Sequence, residues 1–375
     1  MIIMKVLLLS AYDVTSHRYW RKGMVDHLPS IDWQQLSLPA RHFNWRIRGN
    51  PLSWASSEHE RLSADYDAIL ATSMVDLATL KGLVAKLSAT PAIVYFHENQ
   101  FAYPPGLQHN RIEPQMVTLY SGLAAQQLVF NSAYNRSTYL GGVKQLLAKM
   151  PDCVPKGIVN QLSDKSIIIP VPIQRSKQPG QIQLTKPFTL VWNHRWEYDK
   201  APERLYAALT RLKARGIEFR IHVIGQQFRQ SPEVFTQIKN QFDKNIGVFG
   251  FIEDRKDYLQ VLSESHLVIS TAIHEFQGLA VMEAVAHGCI PVVPNRLSYP
   301  EFFEQQYCYP SEMDNPDLEA TGLCDKIEYW LRYFQDGHSP PLPDMTSLSW
   351  NHLTSRYNAL LKHTVADFTL GQTRA

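Results

Sequence analysis

The chain alternates between short apolar runs and stretches whose apolar residues recur three and four apart. Residues 5–10 (KVLLLS), 66–71 (YDAILA), 91–96 (PAIVYF), 128–131 (LVFN) and 166–169 (SIII) have the length of buried strands. Between them, 19–28, 77–87 and 114–125 carry the spacing of a helix face, and Ser132 stands where a helix N-cap belongs. The pattern restarts at 188. Strands are predicted at 188–192, 218–224, 246–251, 267–270 and 290–294, and helices at 201–215, 258–264 and 278–287, with Gly216 and Gly288 as stops. Unbroken apolar strands alternating with helices predict an α/β protein with mostly parallel sheets covered on both faces.

Punctuation divides the chain. Residues 170–187 (PVPIQRSKQPGQIQLTKP) hold four prolines, and a second proline-rich break follows at 339–343. The expected organisation is a first domain at 1–172, a linker at 173–187, a second domain at 188–340, and 341–375 as a final helix (349–362) with a fraying tail. The 375 residues, 45% hydrophobic and 19% charged, suit two globular domains. No run approaches the roughly 18 apolar residues of a membrane span. The opening run holds Lys5 and gives way at once to Tyr12, Asp13 and His17, so it reads as a buried strand and not a leader, with a cytoplasmic location expected. The cysteines, at 153, 289, 308 and 324, form no CxxC pair and imply neither a disulfide framework nor a thiolate metal site.

Net charge is +2, which predicts no partner by itself. Its distribution says more, because no acidic residue lies between Asp32 and Glu58. Segment 41–48 (RHFNWRIR) interleaves Arg41, Arg46 and Arg48 with His42, Phe43 and Trp45, and Arg18, Arg21 and Lys22 extend the basic set. Cations meet phosphates and aromatic rings stack on unpaired bases, so these are candidate RNA contacts. An ordinary solvated loop with aromatic anchors fits the same residues.

Three features of the second half converge on a site for a nucleoside diphosphate. Strand 188–192 runs into Asn193-His194-Arg195-Trp196-Glu197-Tyr198-Asp199-Lys200, and ligands of open α/β sheets sit beyond the carboxyl ends of strands. Arg195 and Lys200 there would stabilise a diphosphate leaving group as its charge develops. Alone they equally fit a solvated helix start. Strand 267–270 leads into His274-Glu275-Phe276-Gln277-Gly278-Leu279, with Glu283 eight residues after Glu275 inside an apolar helix. Gly278 admits close backbone approach where free N–H groups favour phosphate oxygens, and the carboxylates suit sugar and ribose hydroxyls. A Glu at the wet edge of an amphipathic helix is the plainer account of Glu283. Third, 288–294 (GCIPVVP) is a helix stop leading into a buried strand. Gly225 and Phe251, at the ends of neighbouring strands, complete the donor-side set. In the first half, Asp13, Ser16 and His17 follow strand one and His97, Glu98, Asn99 and Gln100 end the 91–96 strand, which makes them acceptor-side candidates.

Arg195 with Lys200, then Glu275 with Glu283, resembles the retaining GT-B glycosyltransferases of family 4. The segments TSH (15–17), YFHENQFAYP (95–104), FNSAYN (130–135), HRWEYDKAPE (194–203), HEFQGLAVMEAVAHG (274–288) and YPEFF (299–303) resemble the tRNA-queuosine mannosyltransferase family over nearly the whole chain. The resemblance implies a GT-B fold of two Rossmann-like domains with the final helix of 341–375 crossing back to the first, GDP-mannose as donor, retention of configuration, and queuosine at the wobble position of tRNA-Asp as acceptor. It implies that Arg195 and Lys200 bind the diphosphate, Glu275 holds mannose, Glu283 binds ribose, Gly278 and Leu279 offer backbone N–H groups, and His97 contacts the donor sugar near the reacting centre. No cofactor or metal is expected, and no membrane. The chain departs from many family-4 members in having Asp13-Val14-Thr15-Ser16 in place of a Gly-Gly loop after strand one. Two other functions remain: a transferase for another nucleotide sugar with a small-sugar or lipid acceptor, and a non-catalytic RNA- or nucleotide-sugar-binding protein.

Overall fold

The computed structural model describes residues 3–103, 112–174, 187–228 and 231–374. The chain forms two compact units, one from Met1–Pro172 with Trp350–Ala375 and one from Ile173–Ser349. Each is built on a six-stranded parallel sheet.

In the first unit the strands are β1 (Met4–Ser10), β2 (Ile31–Ser37), β3 (Ala68–Thr72), β4 (Ala92–Phe96), β5 (Gln127–Phe130) and β6 (Ser166–Ile168), in the order β2-β1-β3-β4-β5-β6. Side chains alternate between faces with period two. Leu7 and Leu9, Ile69 and Ala71, Val94 and Phe96, and Leu128 and Phe130 share one core with Ile47, Trp54, Leu77 and Leu80 from the covering helices. Tyr95 points to the other face, where Trp20 of the Thr15–His27 helix stacks on it at 4.5 Å and Tyr357 of the Trp350–Arg374 helix packs at 6.1 Å. Trp350 lies on Gly23, where a Cβ would come within 1.9 Å of the indole, and donates to Tyr19 Oη at 3.1 Å.

The second unit holds β7 (Thr189–Asn193), β8 (Arg220–Ile224), β9 (Ile246–Gly250), β10 (Leu267–Ile269), β11 (Ile290–Pro294) and β12 (Cys308–Tyr309). Their order, β12-β11-β10-β7-β8-β9, is the doubly wound Rossmann arrangement, whose direction reverses between β7 and β10. Ligands bind outside the strand ends at such a switch point.

Several expectations are corrected. Segment 41–48 lies mostly in a helix, Phe43–Ser57, and not in a loop. The predicted 77–87 helix breaks at Val84 into Leu77–Leu83 and Ala85–Ser88. The fraying tail is helical, since Trp350–Arg374 runs on through it. The second unit extends past 340 to Ser349, because Met345 and Leu348 are buried in its core and Ile173 pairs with Ser349. Residues 175–186 of the expected linker lie outside the described residues. No helix is long and apolar enough to cross a membrane among the described residues.

Candidate functional site

The loops after β7 and β10, the two strands flanking the switch point, meet at Lys200. Its Nζ donates to the His274 carbonyl at 2.7 Å and to Glu275 Oε2 at 3.2 Å, and lies 3.2 Å from Asp199 Oδ2. The main chain of the Lys200 loop is held as well: the Lys200 carbonyl accepts from Thr271 Oγ1 at 2.7 Å, and Ile273 N donates to the Asp199 carbonyl at 2.9 Å. Only 7% of the Lys200 side chain is exposed. Burial pulls its pKa down, but Glu275 and Asp199 outweigh that and raise it above the ordinary lysine value. The same pairing works in reverse on the acids. Burial opposes the charge of Glu275, but Lys200, with His194 behind it, holds its carboxyl down at about 2. Asp199, also buried, is kept below the usual carboxylate range by Lys200 and the His274 hydrogen bond.

Arg195 is different. Its side chain is half exposed and pairs with Glu197 Oε2 at 2.8 Å. Its loop is fixed underneath by Gly225, which stands at φ +152°, where a Cβ would come within 1.8 Å of the His194 carbonyl. Trp196 N donates to the Gln226 carbonyl at 2.9 Å, and the Trp196 ring stacks on Phe235 at 4.0 Å. Burial, reinforced by Lys200, pushes His194 down to about 3, so this histidine is neutral. Asn193 Nδ2 donates to the Ala280 carbonyl at 2.7 Å and to Tyr258 Oη at 3.2 Å, tying β7 to the following helices.

Gly278 caps the Leu279–Ala286 helix in the left-handed region, φ +82°, with Tyr299 Cε1 2.8 Å from where a Cβ would stand. The turn before it is closed by Phe276 N donating to Glu275 Oε1 at 3.1 Å, and Gln277 is buried against Met282 Sδ at 3.5 Å. Glu283, one turn along, pairs with Arg255. Phe251 is 62% exposed past the end of β9.

The strand ends of the first unit gather a second cluster. His17, from the helix after β1, donates through Nε2 to Glu98 Oε2 at 2.9 Å, and Glu98 accepts from Ser73 after β3 at 3.4 Å. The His17 and His97 rings stack at 4.2 Å, with Trp20 edge-on to His97 at 5.0 Å. Burial, then His17, pushes the His97 pKa well below its ordinary value. Among the described residues, the buried His97 Nε2 and His17 Nδ1 have no hydrogen-bond partner. The neighbouring candidates serve the scaffold. Asn99 Oδ1 accepts from Phe101 N and Ala102 N at 2.9 and 3.2 Å while its amide donates to Asn135 Oδ1 at 2.8 Å. Gln100 is buried, with Nε2 3.6 Å from Met74 Sδ. Ser16 is half-buried on the first helix.

Among the described residues, no three His, Cys, Asp or Glu side chains group so as to hold a metal ion.

Residues 5–173 match the family model described as tRNA-queuosine alpha-mannosyltransferase N-terminal, and residues 174–326 match that of the glycosyl transferases group 1. A Drosophila melanogaster tRNA-queuosine alpha-mannosyltransferase is 32% identical over 318 residues, 81% of this chain and 83% of the fly protein. The chain belongs to the tRNA-queuosine alpha-mannosyltransferase family. It is a glycosyltransferase enzyme. Two solved structures show that the fold is GT-B. A glycosyltransferase from Rickettsia africae superposes with a TM-score of 0.62 at 16% identity, covering 97% of this chain and 99% of that one. An E. coli structure described as trehalose-6-phosphate bound with UDP-2-fluoro glucose gives 0.61 at 11% identity, covering 96% and 99%.

The basic candidates of this family member separate on inspection. Asp13 is buried and accepts from Ser10, Arg18 and Arg21, so it does not reach outward. Arg21 is spent on Asp13 and Gln35, and Arg18 shares the same carboxylate. Arg46 faces inward, 8% exposed, with Nε donating to the Pro39 carbonyl at 3.2 Å. Phe43 packs edge-on to Tyr12 at 5.9 Å. Arg48 pairs with Asp76. Lys22, Arg41 and Trp45 remain exposed. Asp199, His194 and His274 were not among the expected site residues, although all three stand inside the HRWEYDK and HEFQG segments.

Proposed function

We propose that this enzyme transfers mannose from GDP-mannose to queuosine at the wobble position of tRNA-Asp, with retention of configuration, in the cytoplasm. The observation that carries the donor half is Lys200, a buried cation fixed between β7 and β10 by the His274 carbonyl and two carboxylates. A preorganised charge of this kind acts on the diphosphate as it leaves, when its negative charge grows. The acceptor half rests on family membership.

In the proposed step the acceptor hydroxyl attacks the anomeric carbon from the face the diphosphate departs. The bond to the diphosphate oxygen breaks, and a diphosphate oxygen takes the hydroxyl proton. Lys200 and Arg195 neutralise the leaving group. Glu275 orients mannose hydroxyls, Glu283 the ribose, and the Gly278 and Leu279 amides approach phosphate oxygens. His97, kept neutral, bonds a hydroxyl near the reacting carbon. No protein nucleophile takes part, and the scheme calls for no metal.

The test is incubation of the purified chain with queuosine-containing tRNA and a panel of nucleotide sugars, read by nucleoside mass spectrometry. Mannosylated queuosine formed from GDP-mannose alone is the expected result. Transfer only from another donor, or only to a small sugar or lipid, overturns it. Trapping of a covalent mannosyl-enzyme would overturn the displacement scheme.

A further inference from the structure

Three carboxylates surround two cations at the donor site. Lys200 is shared by Asp199 and Glu275, both at 3.2 Å, and Arg195 is taken by Glu197 at 2.8 Å. With all five ionised the cluster carries a net charge of −1 before any ligand arrives. A nucleoside diphosphate brings two further negative charges, so one carboxylate must yield its cation.

The geometry singles out which one. Buried Asp199 and half-buried Glu275 meet a buried ammonium that also has a backbone carbonyl to satisfy it, and removing that ammonium would leave both carboxylates without their cation. Glu197 sits 31% exposed beside a half-exposed guanidinium. Its bond is the only one of the three made at the solvent edge, where an ion pair is weak and a side chain can swing. The groups facing Glu197 are Arg195, Asp199, Lys200 and His274. Burial and Asp199 push the Glu197 carboxyl up against the pull of Arg195, while its two neighbours are held down, so its charge is the least well supported of the set.

We infer that Glu197 is a placeholder for the donor's diphosphate: it occupies Arg195 while the site is empty and must release the guanidinium for the phosphate oxygens to take its place. One carboxylate oxygen meets one guanidinium nitrogen at 2.8 Å, the charge-assisted contact that a phosphate oxygen would make in its place. Holding the arginine this way lowers donor affinity, since each binding event must first break the pair. The inference rests on the donor site assigned above and deepens it.

The experiment is calorimetric titration of GDP-mannose, with UDP-glucose in parallel, into full-length wild type, Glu197→Gln, Glu197→Ala and Lys200→Met. Thermal melting checks that each is folded. Removing the charge of Glu197 is expected to tighten GDP-mannose binding roughly 2–5-fold, the scale of a partly exposed ion pair. A gain in affinity is an outcome that damage to the fold does not produce. The alanine variant serves if the glutamine variant does not fold. Weaker or unchanged binding in the folded Glu197 variants, with wild type binding normally and Lys200→Met impaired, overturns the placeholder alone. Wild type that binds neither nucleotide sugar, or Lys200→Met that binds as well as wild type, overturns the donor site and the placeholder with it.

Discussion

Lys200 and Glu275, 75 residues apart in sequence, form an ion pair 3.2 Å long with 7% and 22% of their side chains exposed. The pair gives Lys200 a structural role beside the one proposed for it in donor binding. Removing it leaves Asp199 and Glu275 as buried charges without their cation, a change that costs about 3–5 kcal/mol in comparable cases. Lys200→Ala is therefore expected to lower the melting temperature sharply as well as abolish turnover. Arg195 pairs at the surface, where an ion pair contributes about 0–1 kcal/mol. Arg195→Ala is expected to fold like wild type and lose activity. Thermal melts beside single-turnover assays separate the two, and a Lys200→Ala protein as stable as wild type would refute the distinction.

Gly225 offers a test of the loop itself. A methyl at this position would stand 1.8 Å from the His194 carbonyl, at a φ that side chains rarely adopt. The loop holding Arg195 and Glu197 would have to move, so Gly225→Ala is expected to destabilise the second unit by more than about 1 kcal/mol and to weaken nucleotide binding. Denaturant unfolding measures the first effect. Wild-type stability with wild-type nucleotide affinity would contradict the packing.

Acid should destabilise the protein before its carboxylates titrate. Burial depresses both His97 and His194, the latter to about 3 from an ordinary 6.5. Below pH 6.5 the unfolded chain binds protons at these rings that the folded chain refuses. Their contribution is thus complete above pH 6.5 and is lost as pH falls toward the folded values. Each ring adds a slope of about 1.4 kcal/mol per pH unit. Chemical unfolding between pH 7 and 4.5 should show this slope, reduced by about one proton in His194→Gln. Stability independent of pH across that range would refute it.

Trp45 tests the RNA assignment. Three carbons of its indole lie 2.7 Å from where a Cβ of Gly49 would stand, so the ring is laid flat on the helix with 51% of the residue exposed. A ring held this way presents one face to a base, and stacking contributes about 1–3 kcal/mol per base. Trp45→Ala is expected to weaken binding of the queuosine anticodon stem-loop by that amount with GDP-mannose binding unchanged. Equal stem-loop affinity in filter binding would remove Trp45 from the interface.

Ten of the twelve strands described were legible because they read as short apolar runs; β12, two residues long, is too short to make one. β2 was not legible, since IDWQQLS is an edge strand with three half-buried polar or aromatic positions and no such run. The Phe43–Ser57 helix was hidden by Pro51, which lies inside it and reads as a breaker. In the site, Arg195, Lys200 and Glu275 could be named as candidates because cations and carboxylates after strands are a local signal, and the structure pairs Lys200 with Glu275. Asp199 and His274 were missed because their role is to hold one another across 75 residues, a relation that composition and spacing do not carry. Arg46 and Arg48 looked alike in sequence; helix phase alone sent one inward and the other out.

The Trp350–Arg374 helix completes the sheet that begins at Met4, with Trp350 on Gly23 and Tyr357 Oη accepting from Trp20 Nε1 at 3.1 Å. On the ribosome, Ile173–Ser349 is wholly synthesised while its predecessor still lacks the last segment of its core. The unit encoded first is thus finished last, and a nonsense codon near position 350 would spare Ile173–Ser349 while leaving the other unit with Trp20 and Tyr95 uncovered.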